Sequence, residues 1–424
     1  MPERCIICPL AVHHRLAAWG RQWLNTCNHL HHPRFFTQGE KYMQKKLIAL
    51  AIAGLSSAAF AQSNVVVYGV ADVGVESVTI GNQPNEMGNK TRVVSNSSYL
   101  GFKGEEDLGN GLKALFQLET ALSLGTNADT NGGTNGTTAA AQWGATRDSF
   151  VGLGGGFGTI KLGTLTGPYR VLSTTYTYAP GSSGVAYTGA MFGTIGGIKT
   201  GTDDRTSNAI AYTSPTVNGF NASLLYAAAG NRNVDNQAVS VNGKEWQIGL
   251  NYAIGGLSLG YAHVTRTDVQ VSALAAGLGV VATPYGDELK ANRIAAKYDF
   301  GQGTSVIALW DKQKYENGKA VATPSVERSA WMIGAGHQFG RNQVTFEYAR
   351  SNKLELSTGD VANSDAKQYT LAYNYDLSKR TKVRTYFTKI DNQSAAAFNF
   401  YNNPVVGSTG GDPRSIGASL RHSF

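Results

Sequence analysis

Apolar residues recur at every second position in run after run to the end of this chain, and that period of two restricts it to β-sheet. In YLGFKGEEDLGNGLKALFQLE, from Tyr99 to Glu119, Leu100, Phe102, Leu112, Ala114, Phe116 and Leu118 share one parity. Lys103, Glu105, Lys113, Gln117 and Glu119 share the other. Successive side chains of a strand point to opposite faces, so each run is a strand with one apolar and one charged face. The intervening Asp107-Leu-Gly-Asn-Gly111 supplies residues that tolerate positive φ, so the chain reverses there as a β-hairpin.

The same reading predicts strands over 65–77, 92–105, 112–121, 146–154, 158–165, 206–214, 219–227 and 244–253. The series continues over 257–265, 289–300, 304–315, 326–339, 342–351, 366–377, 381–390 and 414–424, sixteen in all. Connections alternate in length. Asp107 to Gly111, Gly154 to Phe157, Ile254 to Gly256, Gly301 to Gly303 and Gly340 to Arg341 are short. Leu122 to Ala145, Thr166 to Arg205, Ala228 to Gly243, Arg266 to Glu288 and Asp391 to Pro413 are long and polar. A sheet trimmed at one end and elaborated at the other has the asymmetry of an up-and-down outer-membrane barrel, all-β and antiparallel.

The alternation alone leaves two environments open. In a soluble barrel or sandwich the apolar parity fills a core. In a membrane barrel lipid wets that parity and a water-filled lumen wets the charged one. An even strand number fits closure, which a bilayer demands because unpaired backbone groups find no water there. Aromatic residues recur near strand ends, at Tyr212, Tyr226, Tyr252, Tyr261, Tyr298, Tyr348, Tyr375 and Phe387, as interfacial girdles require. The chain ends RSIGASLRHSF with Ile416, Ala418, Leu420, His422 and Phe424 on one parity, so a last strand closing on the first is expected.

The N-terminal region reads as an export signal in an unusual position. MQKKLIALAIAGLSSAAFA, Met43 to Ala61, has a basic start at Lys45 and Lys46, an apolar core and a small-x-small site that places cleavage after Ala61. Residues 1–42 would block such a signal, so they read as upstream sequence outside the true product, with Met43 as the start. Cys5, Cys8, Cys27 and His29 have a zinc-like spacing, but C-x-x-C is a weak signal and a metal module ahead of an export signal makes little sense. The expected mature chain, 62–424, has neither cysteine nor any apolar stretch of about 18 residues. The first 61 residues hold 7 of the 37 Lys+Arg and 2 of the 29 Asp+Glu, leaving 30 basic against 27 acidic. The basic pI therefore gives no support to nucleic-acid binding.

The runs YGVADVG from Tyr68, YLGFKGEEDLGNGLKALFQLE, FVGLGGGFGTIKLG from Phe150 and the terminal RHSF resemble the trimeric general porins of Gram-negative bacteria, in order along the whole mature chain. The resemblance implies a 16-stranded transmembrane β-barrel, a homotrimer in outer-membrane lipid, and passive diffusion of ions and small hydrophilic solutes. It also implies a third loop folded into the pore, here Thr166 to Arg205, and a terminal Phe424 read by the barrel-insertion machinery. From the same likeness, Leu122 to Ala145 is expected to latch onto a neighbouring subunit. No cofactor is implied.

In that family, acids on the third loop commonly face a basic wall. Here Leu165 to Thr202 contains no Asp or Glu; Arg170 and Lys199 are its charges, and Asp203 and Asp204 stand at its return. After Leu162-Gly163, where family members often carry Arg, this chain has Thr164, with Lys161 as the nearby cation. Parity places Lys103, Lys113, Arg147, Lys161, Arg293 and Arg384 toward the lumen, with Asp72, Glu119 and Glu347 as acidic counterparts. Lys or Arg on the lipid face at the midplane would cost about 2–4 kcal/mol. A surplus of lumen cations and an acid-poor loop predict a weak to moderate anion preference.

Three other classes compete with a general diffusion channel. A substrate-selective channel would use Tyr169, Tyr176, Tyr178 and Tyr187 as a sugar-stacking ladder, or bind a carboxylate. An outer-membrane enzyme needs a base beside a nucleophile, but the mature chain offers only His263, His337 and His422, which read as interfacial. An adhesin would act through the long loops, whose TNGGTNGTT-like tracts offer no anchor. Gly154-Gly-Gly-Phe-Gly158 is followed by a strand, so it is a turn and not a phosphate cradle.

Overall fold

In the computed structural model, residues 65–82, 87–125, 127–128, 146–228, 243–268, 287–316, 325–407 and 409–424 are described. The expected upstream segment 1–42, the export signal 43–61 and most of the expected latch 122–145 lie outside them.

Sixteen antiparallel strands close into one barrel. They are β1 (Val66–Gly81), β2 (Met87–Ser95 continued by Tyr99–Gly109), β3 (Leu112–Ala121), β4 (Ser149–Gly155), β5 (Gly158–Thr166), β6 (Arg205–Thr213), β7 (Phe220–Ala228) and β8 (Lys244–Ile254). The second half comprises β9 (Leu257–Thr267), β10 (Glu288–Gly301), β11 (Thr304–Glu316), β12 (Val326–Phe339), β13 (Asn342–Ser351), β14 (Ala366–Asp376), β15 (Thr381–Asn392) and β16 (Asp412–Ser423). The sixteen strands expected from the alternation are all present, with ends moved by a few residues. The second differs most. It starts at Met87 and ends at Gly109, and it is broken at Asn96–Ser98, where Ser97 adopts φ 55°. Asp72 of β1 holds the break, its backbone N–H donating to Ser98 Oγ at 2.9 Å and its carbonyl accepting from Asn96 N at 2.8 Å.

The β2–β3 turn forms as its residues require. Asn110 and Gly111 take φ 52° and 76°, and Asp107 Oδ1 accepts from the Gly109 N–H at 2.8 Å. Closure comes from β1 and β16, paired from Val70↔Ser423 to Gly81↔Asp412. Gly69 and Phe424 then exchange both backbone hydrogen bonds at 3.1 Å.

The apolar parity faces outward. Leu162, Ile294, Ile333, Leu371 and Ile416 are half-exposed or more, while their strand neighbours Arg293, Asp311, Arg328 and Glu347 point into the barrel and are buried. That is the inverted face order of a membrane barrel. Ring contacts run around the outside near the long-loop end, Tyr226–Trp246 at 4.3 Å, Trp331–Tyr348 at 5.2 Å and Tyr348–Tyr369 at 5.1 Å. Near the short-turn end Tyr298 meets Phe300 at 4.7 Å and His337 stacks on Phe339 at 5.7 Å. These are two interfacial girdles. His263, bonded to Asn292 and Thr265, and His422, bonded to Thr381, also lie on the outward parity.

Candidate functional site

The segment between β5 and β6 turns into the barrel. Pro168 starts α1 (Pro168–Thr175) in the position where its missing N–H costs nothing. Gly167 before it lies against the Gln247 side chain, where a Cβ would stand 2.3 Å from Oε1, and the same Oε1 accepts from Tyr169 N at 3.0 Å. A second short helix, α2 (Gly189–Phe192), leads into a two-residue hairpin, Thr194–Ile195 with Ile198–Lys199. Tyr169, Leu172, Tyr176, Tyr187, Met191 and Phe192 are buried together. The expected infolded third loop is therefore present, held by its own apolar core.

Polar groups from successive strands bind its underside. Arg293 of β10 reaches the Asp203 carboxylate through Nη1 at 2.6 Å and Asp311 Oδ2 through Nε at 2.9 Å. It also donates to the Tyr169 carbonyl at 3.1 Å, with its guanidinium 3.9 Å above the Tyr169 ring. Arg328 of β12 donates to Asp311 Oδ1 and to the Phe192 carbonyl, each at 3.0 Å, and to the Thr194 carbonyl. Gln313 of β11 donates to the Phe192 carbonyl at 2.9 Å, and Tyr169 donates its hydroxyl to Asp311. Glu347 of β13 accepts from Thr177 Oγ1 at 2.9 Å, Thr188 Oγ1 at 3.1 Å and the Tyr178 N–H. Gln368 of β14 donates to the Val185 carbonyl at 3.2 Å. The loop is thus tied along half the wall, from β8 to β14.

Two arginines also decide the state of Asp203. Burial disfavours its carboxylate, yet Arg293 and Arg170 outweigh that and hold the carboxyl below the usual aspartate range. Arg170 itself donates to the Asp203 carbonyl, and Ser173 Oγ donates to Asp203 Oδ1 at 2.7 Å.

A second segment, between β15 and β16, also folds inward, which the sequence reading missed. Phe398, Phe400 and Tyr401 are buried in the same cluster as the third loop. Tyr401 meets Tyr187 edge to face at 5.5 Å, and Lys199 Nζ lies 4.2 Å from the Tyr401 ring centre. Asn392 ties this eighth loop at its base, donating to the carbonyls of Phe398 at 2.8 Å and Gly411 at 2.6 Å. Three aromatics in FNFY within a polar loop were the available signal.

The remaining expected residues fall on the inner wall in distinct settings. Lys103 is exposed with Nζ 4.9 Å from the Tyr68 ring centre, and Lys161 is half-buried with Nζ 4.4 Å from that of Phe150. Lys113 pairs with Glu105 at 2.9 Å beside the β2–β3 turn, at the barrel rim. Arg147 pairs with Glu119 at 3.2 Å, and Glu119 also accepts from Tyr68 Oη at 2.7 Å. Asp72 pairs with Arg421 at 3.1 Å. Arg384 is buried on the inner wall with no carboxylate in salt-bridge range among the described residues.

Three placements correct the sequence reading. Arg293 and Glu347 have the inward parity but lie beneath the third loop, which covers them. Arg170 does not add to the loop's open charge, because it is turned in toward Asp203. Tyr169, Tyr176 and Tyr187 form no sugar ladder, because they are the loop's core. Asp203 is named in the sequence only as an acid at the loop's return, and Asp311, Arg328, Arg205 and Arg421 are not singled out there, although the parity that finds Arg293 also selects Asp311.

Residues 47–395 match the family model of the Gram-negative porin. The major outer membrane protein P.IB of Neisseria gonorrhoeae is 31% identical over 350 residues, covering 80% of this chain and 92% of that protein. Its counterpart in Neisseria lactamica is 30% identical over 347 residues, covering 80% and 91%. Among solved structures, the anion-selective porin from Comamonas acidovorans superposes with a TM-score of 0.67 at 23% identity, covering 86% of this chain and all of that one. OmpT of Vibrio cholerae in its trimer form gives 0.58 at 12% identity, covering 85% and 99%.

Proposed function

The chain belongs to the Gram-negative porins, outer-membrane β-barrels that serve passive diffusion, and from that premise we propose that it is a homotrimeric channel for small hydrophilic solutes with a weak to moderate preference for anions. The observation that carries the preference is an imbalance in how lumen charges are used. On the acidic side, Asp203, Asp311, Glu119, Asp72, Glu76 and Glu245 each lie in an ion pair with an arginine, while Glu347 has no ion pair but is buried under the third loop, accepting from Thr177, Thr188 and the Tyr178 N–H. Lys103, Lys161, Lys199 and Arg384 have no carboxylate in salt-bridge range among the described residues. Unpaired cations on a low-dielectric wall raise the local concentration of anions.

The same reading takes the two infolded loops as the constriction, with Lys103, Lys161 and Arg384 on the facing wall. The selectivity named for the Comamonas neighbour and the trimer named for OmpT agree with it. Export through Met43–Ala61 and recognition of Phe424 by the insertion machinery belong to the proposal as well. Purified protein in planar bilayers under a salt gradient tests the preference. A reversal potential of anion sign supports it, and one of cation sign overturns it. Conductance steps in threes, with a trimer band on a gel of unboiled sample, test the assembly.

A further inference from the structure

The inner wall beneath the third loop carries glycines where the loop comes closest to it. Gly249 of β8, Gly260 of β9 and Gly336 of β12 share the inward parity and are buried. None of the three has φ in the left-handed region, so their backbone is ordinary extended strand that any residue could adopt. Glycine inside a strand weakens it, and where conformation does not demand it, it marks a place where something else approaches the backbone.

What approaches here is the loop. A Cβ on Gly249 would stand 2.6 Å from Pro168 Cβ, one on Gly260 would overlap Leu172 Cδ2, and one on Gly336 would stand 2.7 Å from Tyr178 Cε1. Pro168, Leu172 and Tyr178 thus enter three hollows in chain order, round the wall from β8 to β12. Carbon atoms in good contact stand about 3.5–4.0 Å apart, so each hollow seats the loop about 1 Å deeper than a side chain there would allow.

The three loop side chains have little room to turn aside. Pro168 is a ring at the helix start, and Leu172 is buried in the loop's own core beside Tyr169 and Tyr176. Tyr178 is held at both ends, its N–H donating to Glu347 and its hydroxyl to the carbonyl of Ser305 at 2.8 Å, and Ser305 is the cross-strand partner of Gly336. Away from the wall, Val171, Thr174 and Thr175 share the other face of α1 and are exposed to the lumen.

We propose that Gly249, Gly260 and Gly336 are positioning residues that set the bore of the channel, by the depth to which they let the third loop seat. The inference rests on the channel reading above and adds to it residues that touch no solute. A methyl group at any of the three lifts the loop from the wall and carries its exposed face into the path.

The test compares single-channel conductance and the liposome-swelling size limit of whole, folded variants. G260A and G336A should each conduct less than wild type and admit smaller solutes. Shortening the matching loop residue should restore both readings, in G260A/L172A and in G336A/Y178A, because the added methyl then meets no atom of that side chain. The mismatched pairs G260A/Y178A and G336A/L172A should stay narrow. G154A, on β4 away from the loop, adds a methyl in ordinary contact with Leu115 at 3.4 Å and should change nothing. Heat-modifiability on a gel shows which variants are folded, and either matched pair carries the test if the other does not fold. A crystal structure of G260A reads the seating without recourse to conductance, with α1 expected about 1 Å further from β9. Channels of wild-type size in G260A and G336A, repair by a mismatched partner, or α1 unmoved in the crystal would each overturn the proposal. Wild-type protein that opens no channel would instead overturn the channel reading, and the position of α1 would still decide the seating.

Discussion

Arg293 and Asp203 meet at 2.6 Å with both side chains wholly removed from solvent. One partner belongs to the barrel wall and the other to the returning arm of the third loop, so this contact fixes the loop's position. Removing one member of a buried pair leaves the other uncompensated, at a cost of about 3–5 kcal/mol. In R293M both Asp203 and Asp311 lose a partner, so the loop should detach while the barrel remains. Single-channel traces should become noisy and the loop should become open to trypsin at Arg170 and Lys199. Quiet openings of wild-type size with an intact loop would show that the apolar core alone holds it.

The same pair sets an acid limit. Because the Asp203 carboxyl is held below its ordinary range, the unfolded chain binds that proton more readily than the folded one. The stabilisation is present above the unfolded value of about 3.9 and is lost as pH falls through the lower folded value. Channel conductance should therefore be steady down to about pH 4 with respect to this group, with loop noise appearing only in stronger acid. Noise beginning near neutral pH would point to a different titrating group.

Tyr401 bridges the eighth loop to Tyr187 of the third. Truncating a buried aromatic to alanine costs about 3–5 kcal/mol, here concentrated in one loop-to-loop contact. Y401A should free the eighth loop and admit larger solutes in liposome-swelling assays, without change in the heat-modifiability of the barrel. An unchanged size limit would mean that the eighth loop does not narrow the path.

Charge reversal addresses the lumen wall. K103E with K161E replaces two of the unpaired cations by carboxylates, and the reversal potential should shift toward cations. The arginines under the third loop provide the contrast, since their charge is already neutralised by Asp203 and Asp311. A reversal potential indifferent to Lys103 and Lys161 would place the selective ring elsewhere.

The strands were legible because their signal is local: parity and turn residues lie within about ten positions of each other. The anchoring of the third loop was not, because Arg293 and its partner Asp203 are 90 residues apart and meet only once register and the loop's path are set. Parity gave the correct side of the wall for Arg293 and Glu347 but could not show that the loop lies over them. The break at Asn96–Ser98 was hidden for another reason. Ser97 at positive φ carries no sequence mark, and the hydrogen bonds that its neighbours Asn96 and Ser98 make with Asp72 hold the break in place.

The bonds between Gly69 and Phe424 join the first and last strands of the barrel, across nearly the whole length of its sequence. Until β16 and Phe424 are in place, β1 is paired with β2 on one edge only, and its other, unpaired edge is a template for pairing with another chain. Closure is a contact of the longest possible sequence separation, the kind that forms slowly, so an unclosed barrel has to be shielded from its neighbours throughout its transit to the membrane.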